Sequence, residues 1–170
     1  MRIETPPEVD PRFVAALLGE DELGVVVRSH IFVEANINRY LELVVSAPEQ
    51  LRGMGLRYRQ RVQLACALGF DPDYQDALVA LGEIRNAFSH KLDTQLTSTV
   101  VDGLFAKLPP QGKRAVELSY EGTKAQLKAE GKLTLHDLAP REKFILITLS
   151  LERLVMAAVL LVTPPERNAV

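Results

Sequence analysis

The sequence predicts an all-α protein, an up-and-down bundle of about seven helices that ends in a long apolar helix. Apolar residues recur every three or four positions along nearly the whole chain, capping residues and prolines divide it at regular intervals, and no alternating run with turn chemistry indicates a strand. At 170 residues, one domain over residues 10–163 is expected, with a flexible tail at 1–9 and another at 164–170.

The helix limits follow from caps and helix-breaking residues. Asp10-Pro11 opens the first helix, Asp21 opens the second, Asp71-Pro72 opens the fourth, and Thr97 or Ser98 caps the fifth. The expected helices cover residues 10–19, 21–46, 56–68, 71–89, 97–108, 113–130 and 140–163.

The last helix contains a stretch, FILITLSLERLVMAAVLLV at residues 144–162, that is long enough to cross a membrane. Glu152 and Arg153 stand near its centre, and each charge there costs about 2.5–3.5 kcal/mol on insertion. We therefore expect a buried helix of a bundle and no membrane span. Residues 1–9 lack the apolar core of a secretory signal, so a cytoplasmic location is expected.

The amino-acid composition argues against several classes of function. The net charge of −2 argues against a protein that coats nucleic acid through bulk charge, although a local basic patch stays open. Trp is absent and aromatics make up 6%, which leaves few stacking platforms for single strands. The single cysteine, Cys66, excludes an internal disulfide and a multi-cysteine zinc site. No metal or other cofactor is expected.

The second helix carries a polar column on its apolar side. His30, Glu34 and Asn38 are spaced four residues apart, within a stripe expected to face inward. That stripe comprises Leu23, Val26, Val27, Ile37, Leu41 and Val44. Because a buried carboxylate needs a partner or a proton, Glu34 either pairs with His30 and a neighbouring helix or supports a cation at a site between helices.

The opposite face of the second helix is also partly apolar. Val25, Phe32 and Leu43 share it. This pattern predicts a second packing partner, such as another subunit.

The fourth helix ends in a candidate site. Arg85, Asn86 and His90 lie within the string IRNAFSH, where a guanidinium, an amide and an imidazole follow one another towards the helix end. These residues also suit a purely structural role, because cations near a helix C-terminus cap carbonyls and complement the helix dipole.

The string IRNAFSH resembles the helix-end motif of the HEPN superfamily. GMGLRYRQRVQLACALGF at residues 53–70, followed by LGEIRNAFSHKLD, is similar to the mannitol operon repressor family, as are FVEA at 32–35 and the closing helix at 141–154. The similarity spans residues 21–93 and 141–158. The resemblance implies a dimeric, all-α, up-and-down bundle, and it does not cover residues 107–138.

The resemblance implies one of two roles. Some superfamily members are metal-independent ribonucleases that serve as toxins or defence effectors. The repressor family instead comprises transcriptional regulators without a helix-turn-helix, thought to act through a protein partner. The sequence likewise lacks a recognition-helix signature, so direct sequence-specific DNA binding is not expected.

If the protein is a ribonuclease, the 2′-OH of RNA attacks the adjacent phosphorus. Arg85 would stabilise charge on the phosphoryl oxygens, His90 would handle the proton, and Asn86 would orient the phosphate or the imidazole. One histidine supplies an acid or a base but not both, so two motifs would meet across a dimer interface. Four further arginines would guide the RNA backbone or form a solvated face: Arg52, Arg57, Arg59 and Arg61.

Three hypotheses therefore stand. The first is a dimeric regulator that acts through a DNA-binding protein partner. The second is a ribonuclease, with RNA as substrate and an antitoxin as partner. The third is a scaffold or small-molecule binder in which Arg85 and His90 stabilise the helix end. In the first two, we expect Arg85, His90 and Glu34 to share one reachable pocket.

Overall fold

The computed structural model describes residues 11–90, 93–123 and 134–163, and this part of the chain is a bundle of eight α-helices and two 3₁₀ turns. The predicted tails at 1–9 and 164–170 lie outside the described residues. The α-helices are α1 (Pro11–Gly19), α2 (Glu22–Val44), α3 (Pro48–Gly53), α4 (Tyr58–Ala67), α5 (Gln75–His90), α6 (Ser98–Ala106), α7 (Pro110–Thr123) and α8 (Pro140–Val162).

Capping residues and a proline explain the starts of α2, α6 and α8. The Asp21 carboxylate accepts a hydrogen bond from the Gly24 N–H at 2.7 Å, and the Thr97 hydroxyl accepts one from the Val100 N–H at 3.3 Å. Pro140 takes the first position of α8, where its missing N–H costs nothing.

Two elements differ from the prediction. The segment after Pro48, expected to be a loop, forms the short helix α3, because proline is accommodated in the first turn of a helix as well as after its end. For the same reason α7 begins at Pro110, three residues before the expected start at Lys113. The predicted extension of α7 to residue 130 falls outside the described residues.

The two longest helices, α2 and α8, pack side by side at the centre and run in the same direction. Ser29 lies beside Thr148, with their hydroxyl oxygens 3.2 Å apart, and further along the Asn36 amide donates to the Glu152 carboxylate at 3.2 Å. All four side chains are buried, so these paired polar groups fix the register of the two helices.

One arginine ties α1 to α8. The Arg141 guanidinium donates to the carbonyl oxygens of Leu17 and Leu18, both at 3.0 Å, and to that of Glu20. It thereby supplies partners for carbonyls at the C-terminal end of α1, which have none within the helix.

The faces of α2 differ in part from the prediction. Leu23, expected to face inward, is 48% exposed, whereas Val25, expected on the spare face, is fully buried. Phe32 stacks on Phe13 with ring centroids 3.9 Å apart, so at Phe32 the second packing partner expected on this face is α1 of the same chain. Leu43 stays exposed. Since α2 is surrounded by several helices, one inward stripe does not describe its packing.

Helix α8 is long and apolar enough to cross a membrane, but it is mostly buried within the bundle. Its Lys143 and Glu152 are also buried, and Lys143 pairs with Asp102 at 2.6 Å. A mostly buried helix whose two buried charged side chains have partners on neighbouring helices is compatible with a soluble fold.

Candidate functional site

A recess of about 440 Å³ lies where the beginning of α4 and the second half of α5 meet α2. Helix α5 runs antiparallel to α2: Phe70, shortly before α5, contacts Tyr40, whereas Leu96, just after α5, donates its N–H to the Glu22 carboxylate. The recess is lined by His30, Arg57, Tyr58, Arg59, Val79, Gly82, Glu83, Arg85 and Asn86.

His30 forms the buried wall of the recess. Its side chain is only 1% exposed, and neither ring nitrogen has a hydrogen-bond partner among the described residues. Nδ1 lies 3.5 Å from the Glu34 carboxylate. Burial, with a further contribution from the positive charge of Arg85, lowers the pKa of His30 to about 4, so the imidazole is neutral at pH 7.

Tyr58 and Gly82 bring α4 and α5 together beside this histidine. The Tyr58 ring lies 4.3 Å from the His30 ring, centroid to centroid, and its hydroxyl donates to the Leu78 carbonyl at 3.0 Å. A Cβ on Gly82 would lie 2.6 Å from Cδ1 of Tyr58, so only glycine allows this approach. Burial raises the pKa of the Tyr58 hydroxyl, and the nearby Glu34 carboxylate raises it further.

Arg85 and Asn86 are placed at the recess as neighbours. Arg85 is half-buried, and its guanidinium donates to the Asn86 side-chain oxygen at 3.1 Å. Arg85 and Glu34 both act electrostatically on Tyr58, yet no ion pair within 4 Å joins them in the described part of the chain. The guanidinium of Arg85 is therefore available to bind an anionic group in the recess.

His90 is separated from this arrangement. It is the last residue of α5, it is exposed, and it does not line the recess. Five positions correspond to about 140° around a helix axis, so Arg85 and His90 leave α5 on different sides. The expected pocket shared by Arg85, His90 and Glu34 thus contains Arg85 with Glu34 nearby, and the imidazole in it is that of His30.

The four predicted backbone-guiding arginines divide into two pairs. Arg57 and Arg59 line the recess, and Arg59 lies 3.9 Å from the Glu83 carboxylate. Arg52 does not line the recess and pairs instead with Glu42 at 3.1 Å. Arg61 donates to the Leu56 carbonyl and to the Asn38 side chain, so its hydrogen bonds hold α4 against α2.

The arrangement supplies positive charge and hydrogen-bond donors to one concave surface. Three guanidinium groups face the single carboxylate of Glu83 among the lining residues, with Glu34 as a second carboxylate close by. Within residues 11–90, 93–123 and 134–163, no group of three or more His, Cys, Asp or Glu side chains is placed to hold a metal ion.

Sequence reasoning missed Tyr58 and Gly82. One signal was present: Gly82 interrupts an otherwise regular helix, where glycine costs about 1 kcal/mol relative to alanine. A glycine in such a position indicates a close approach by another side chain, which here is the ring of Tyr58.

Comparisons with protein-family models, with curated proteins and with solved structures found no match for this chain. The class that the fold and the site define is an all-α helical bundle with an arginine-lined recess between α2, α4 and α5.

Proposed function

We propose that the protein is a cytoplasmic helical regulator that forms a dimer and acts through a DNA-binding protein partner. The regulatory role is the one that the resemblance to the mannitol operon repressor family implies. The observation that supports a contact surface is an apolar strip on α2, formed by Leu23, Val27 and Ile31.

The strip lies along one side of α2 because its members are spaced four residues apart. Leu23 is 48% and Ile31 is 55% exposed, and Val27 is half-buried. Contiguous apolar surface of this kind marks protein contact sites.

The position of His90 favours a regulator over an enzyme. A ribonuclease needs a proton-transferring group next to the charge-stabilising arginine. Within one chain, Arg85 faces the recess while His90 is exposed at the end of α5. The buried His30 beside Arg85 has a pKa of about 4, so it is deprotonated at pH 7 and cannot serve as a general acid there.

The mass of the protein in solution tests the dimer. Light scattering should give twice the chain mass of 18.9 kDa. The variant Leu23→Glu, Ile31→Glu should give a single chain with unchanged helix content, because it places two carboxylates in the contact. Leu118→Glu is the control, since Leu118 is 58% exposed on α7, away from the strip. A wild-type protein with the mass of one chain would contradict the proposal.

DNA binding tests the regulatory mechanism. The pure protein should bind duplexes without sequence preference and only at background level at about 150 mM salt, because regulation runs through the partner. Tight, sequence-selective binding by the pure protein would overturn this mechanism.

A second candidate function, a metal-independent ribonuclease, is favoured by one observation. Among the described residues, no carboxylate lies within 4 Å of the Arg85 guanidinium, which faces the recess with Asn86. In such an enzyme the partner chain's copy of the motif would have to provide the proton-transferring imidazole. RNA fragments ending in cyclic phosphate, formed equally well with a chelator and lost in His90→Ala, would establish this function in place of the regulator.

A further inference from the structure

The recess contains one polar group whose hydrogen bonds the fold does not supply. His30 is 1% exposed, and neither of its ring nitrogens makes a hydrogen bond to a described residue, because the nearest acceptor, the Glu34 carboxylate, lies 3.5 Å from Nδ1. A polar group in the interior that makes no hydrogen bond destabilises the fold. Its neutral ring has one N–H donor and one acceptor, and both belong to a residue that lines the recess.

The residues that line the recess also carry an excess of positive charge, and the Glu34 carboxylate, 3.5 Å from Nδ1 of His30, lies beside the recess and not in its lining. The guanidinium groups of Arg57, Arg59 and Arg85 line the recess, whereas Glu83 is the only carboxylate among its lining residues. The Arg59–Glu83 contact, at 3.9 Å between exposed side chains, is too long and too solvated to neutralise the site. Because the whole chain has a net charge of −2, this positive character is local.

Helix α4 adds to the positive character of the recess. This ten-residue helix begins at Tyr58, which lines the recess. The first-turn N–H groups of a helix have no partners within the helix, and they give its N-terminus a partial positive charge that favours anions.

We propose that the recess binds the phosphate group of a small molecule or free phosphate. Arg57, Arg59 and Arg85 surround the phosphate oxygens, and the ring N–H of His30 donates a hydrogen bond to one of these oxygens. Guanidinium groups match tetrahedral oxyanions through paired hydrogen bonds. The volume of about 440 Å³ is typical of a small-molecule site. This inference goes beyond the proposed function, since binding to one chain requires neither a dimer nor a protein partner.

The test follows the ring nitrogens of His30 by NMR during titration with inorganic phosphate and with glycerol 3-phosphate, at constant ionic strength. At least one of the two phosphate probes should shift the His30 nitrogen resonances saturably. The probe that binds more tightly identifies the source of the phosphate group. Sodium chloride should produce none. A short single-stranded RNA is titrated in parallel. The absence of a saturable shift with both phosphate probes would overturn the proposal, including the case in which only RNA binds.

Variants localise the binding. Arg85→Gln should abolish the shift. The exposed pair Arg57→Gln, Arg59→Gln should weaken binding about tenfold without affecting folding, which corresponds to about 1.4 kcal/mol. The control Arg52→Gln should bind like the wild type, because Arg52 pairs with Glu42 outside the recess. Unchanged binding in the Arg57, Arg59 double variant would place the ligand elsewhere and contradict the proposal.

Discussion

The imidazole of His30 lies against the phenol ring of Tyr58, with 4.3 Å between the ring centroids and 52° between the ring planes. This contact joins the middle of α2 to the first residue of α4. It holds His30 in a buried position, where Arg85 of α5 acts on its charge. The recess therefore depends on a contact between three helices that are separated in the sequence.

Stability should depend on pH through His30. Its pKa is about 4 in the folded protein against 6.5 ordinarily, because burial and Arg85 both disfavour its charged form, with Glu34 and Tyr58 as the other ionisable neighbours. As the pH falls from 6.5 towards 4, the unfolded chain takes up the proton first, so the free energy of unfolding falls by about 3 kcal/mol from this group.

The measurement is urea unfolding of the wild type and His30→Gln at several pH values. Other acidic groups titrate in both proteins, so the difference between the two isolates His30. We expect His30→Gln to lose less stability than the wild type over this range. If the free energy of unfolding changed with pH in the same way in both proteins, His30 would not be buried in its neutral form.

Gly82→Ala should destabilise the protein by about 2 kcal/mol, because the new methyl group would lie 2.6 Å from the rigid Tyr58 ring. Thermal unfolding checks this. Gly103→Ala on α6 is the matched control, since nothing lies within 4 Å of its Cβ position, and it should stabilise the protein by about 0.5 kcal/mol. Equal effects of the two substitutions would rule out the close contact between α4 and α5.

Arg141→Gln should lower the free energy of unfolding by about 2 kcal/mol, since the guanidinium donates to three carbonyl oxygens at residues 17, 18 and 20. Loss of this contact should also increase amide hydrogen exchange in α1 more than in α5. Arg39→Gln, at an exposed position of α2, is the control. Wild-type exchange rates in α1 of Arg141→Gln would be inconsistent with the role assigned to Arg141.

The sequence predicted the fold class and most helix starts, because Asp21, Thr97 and Pro140 act within a few residues of their own position. It failed where the outcome depends on distant partners. Leu23 is exposed although it was expected to face inward, because several helices pack around α2 and periodicity along α2 alone does not reveal where they lie.

The site was predicted only in part for the same reason. His30 and Glu34 were singled out by their spacing and Arg85 and Asn86 by the resemblance of the string IRNAFSH to a known motif, and the structure places all four in or beside the recess. The string IRNAFSH suggested that the imidazole next to Arg85 is that of His90. In the folded chain, His30 of another helix takes that position. Tyr58 could not be assigned, since its role arises only when α4 meets Gly82 of α5.

The most direct test of the regulator against the nuclease is paired expression of the wild type and the Arg85→Ala, His90→Ala variant, followed by growth and by the integrity of cellular RNA. The proposed function predicts equal growth and intact RNA in both cultures. Growth arrest by the wild type, with RNA ends bearing cyclic phosphate and with relief in the variant, would contradict it.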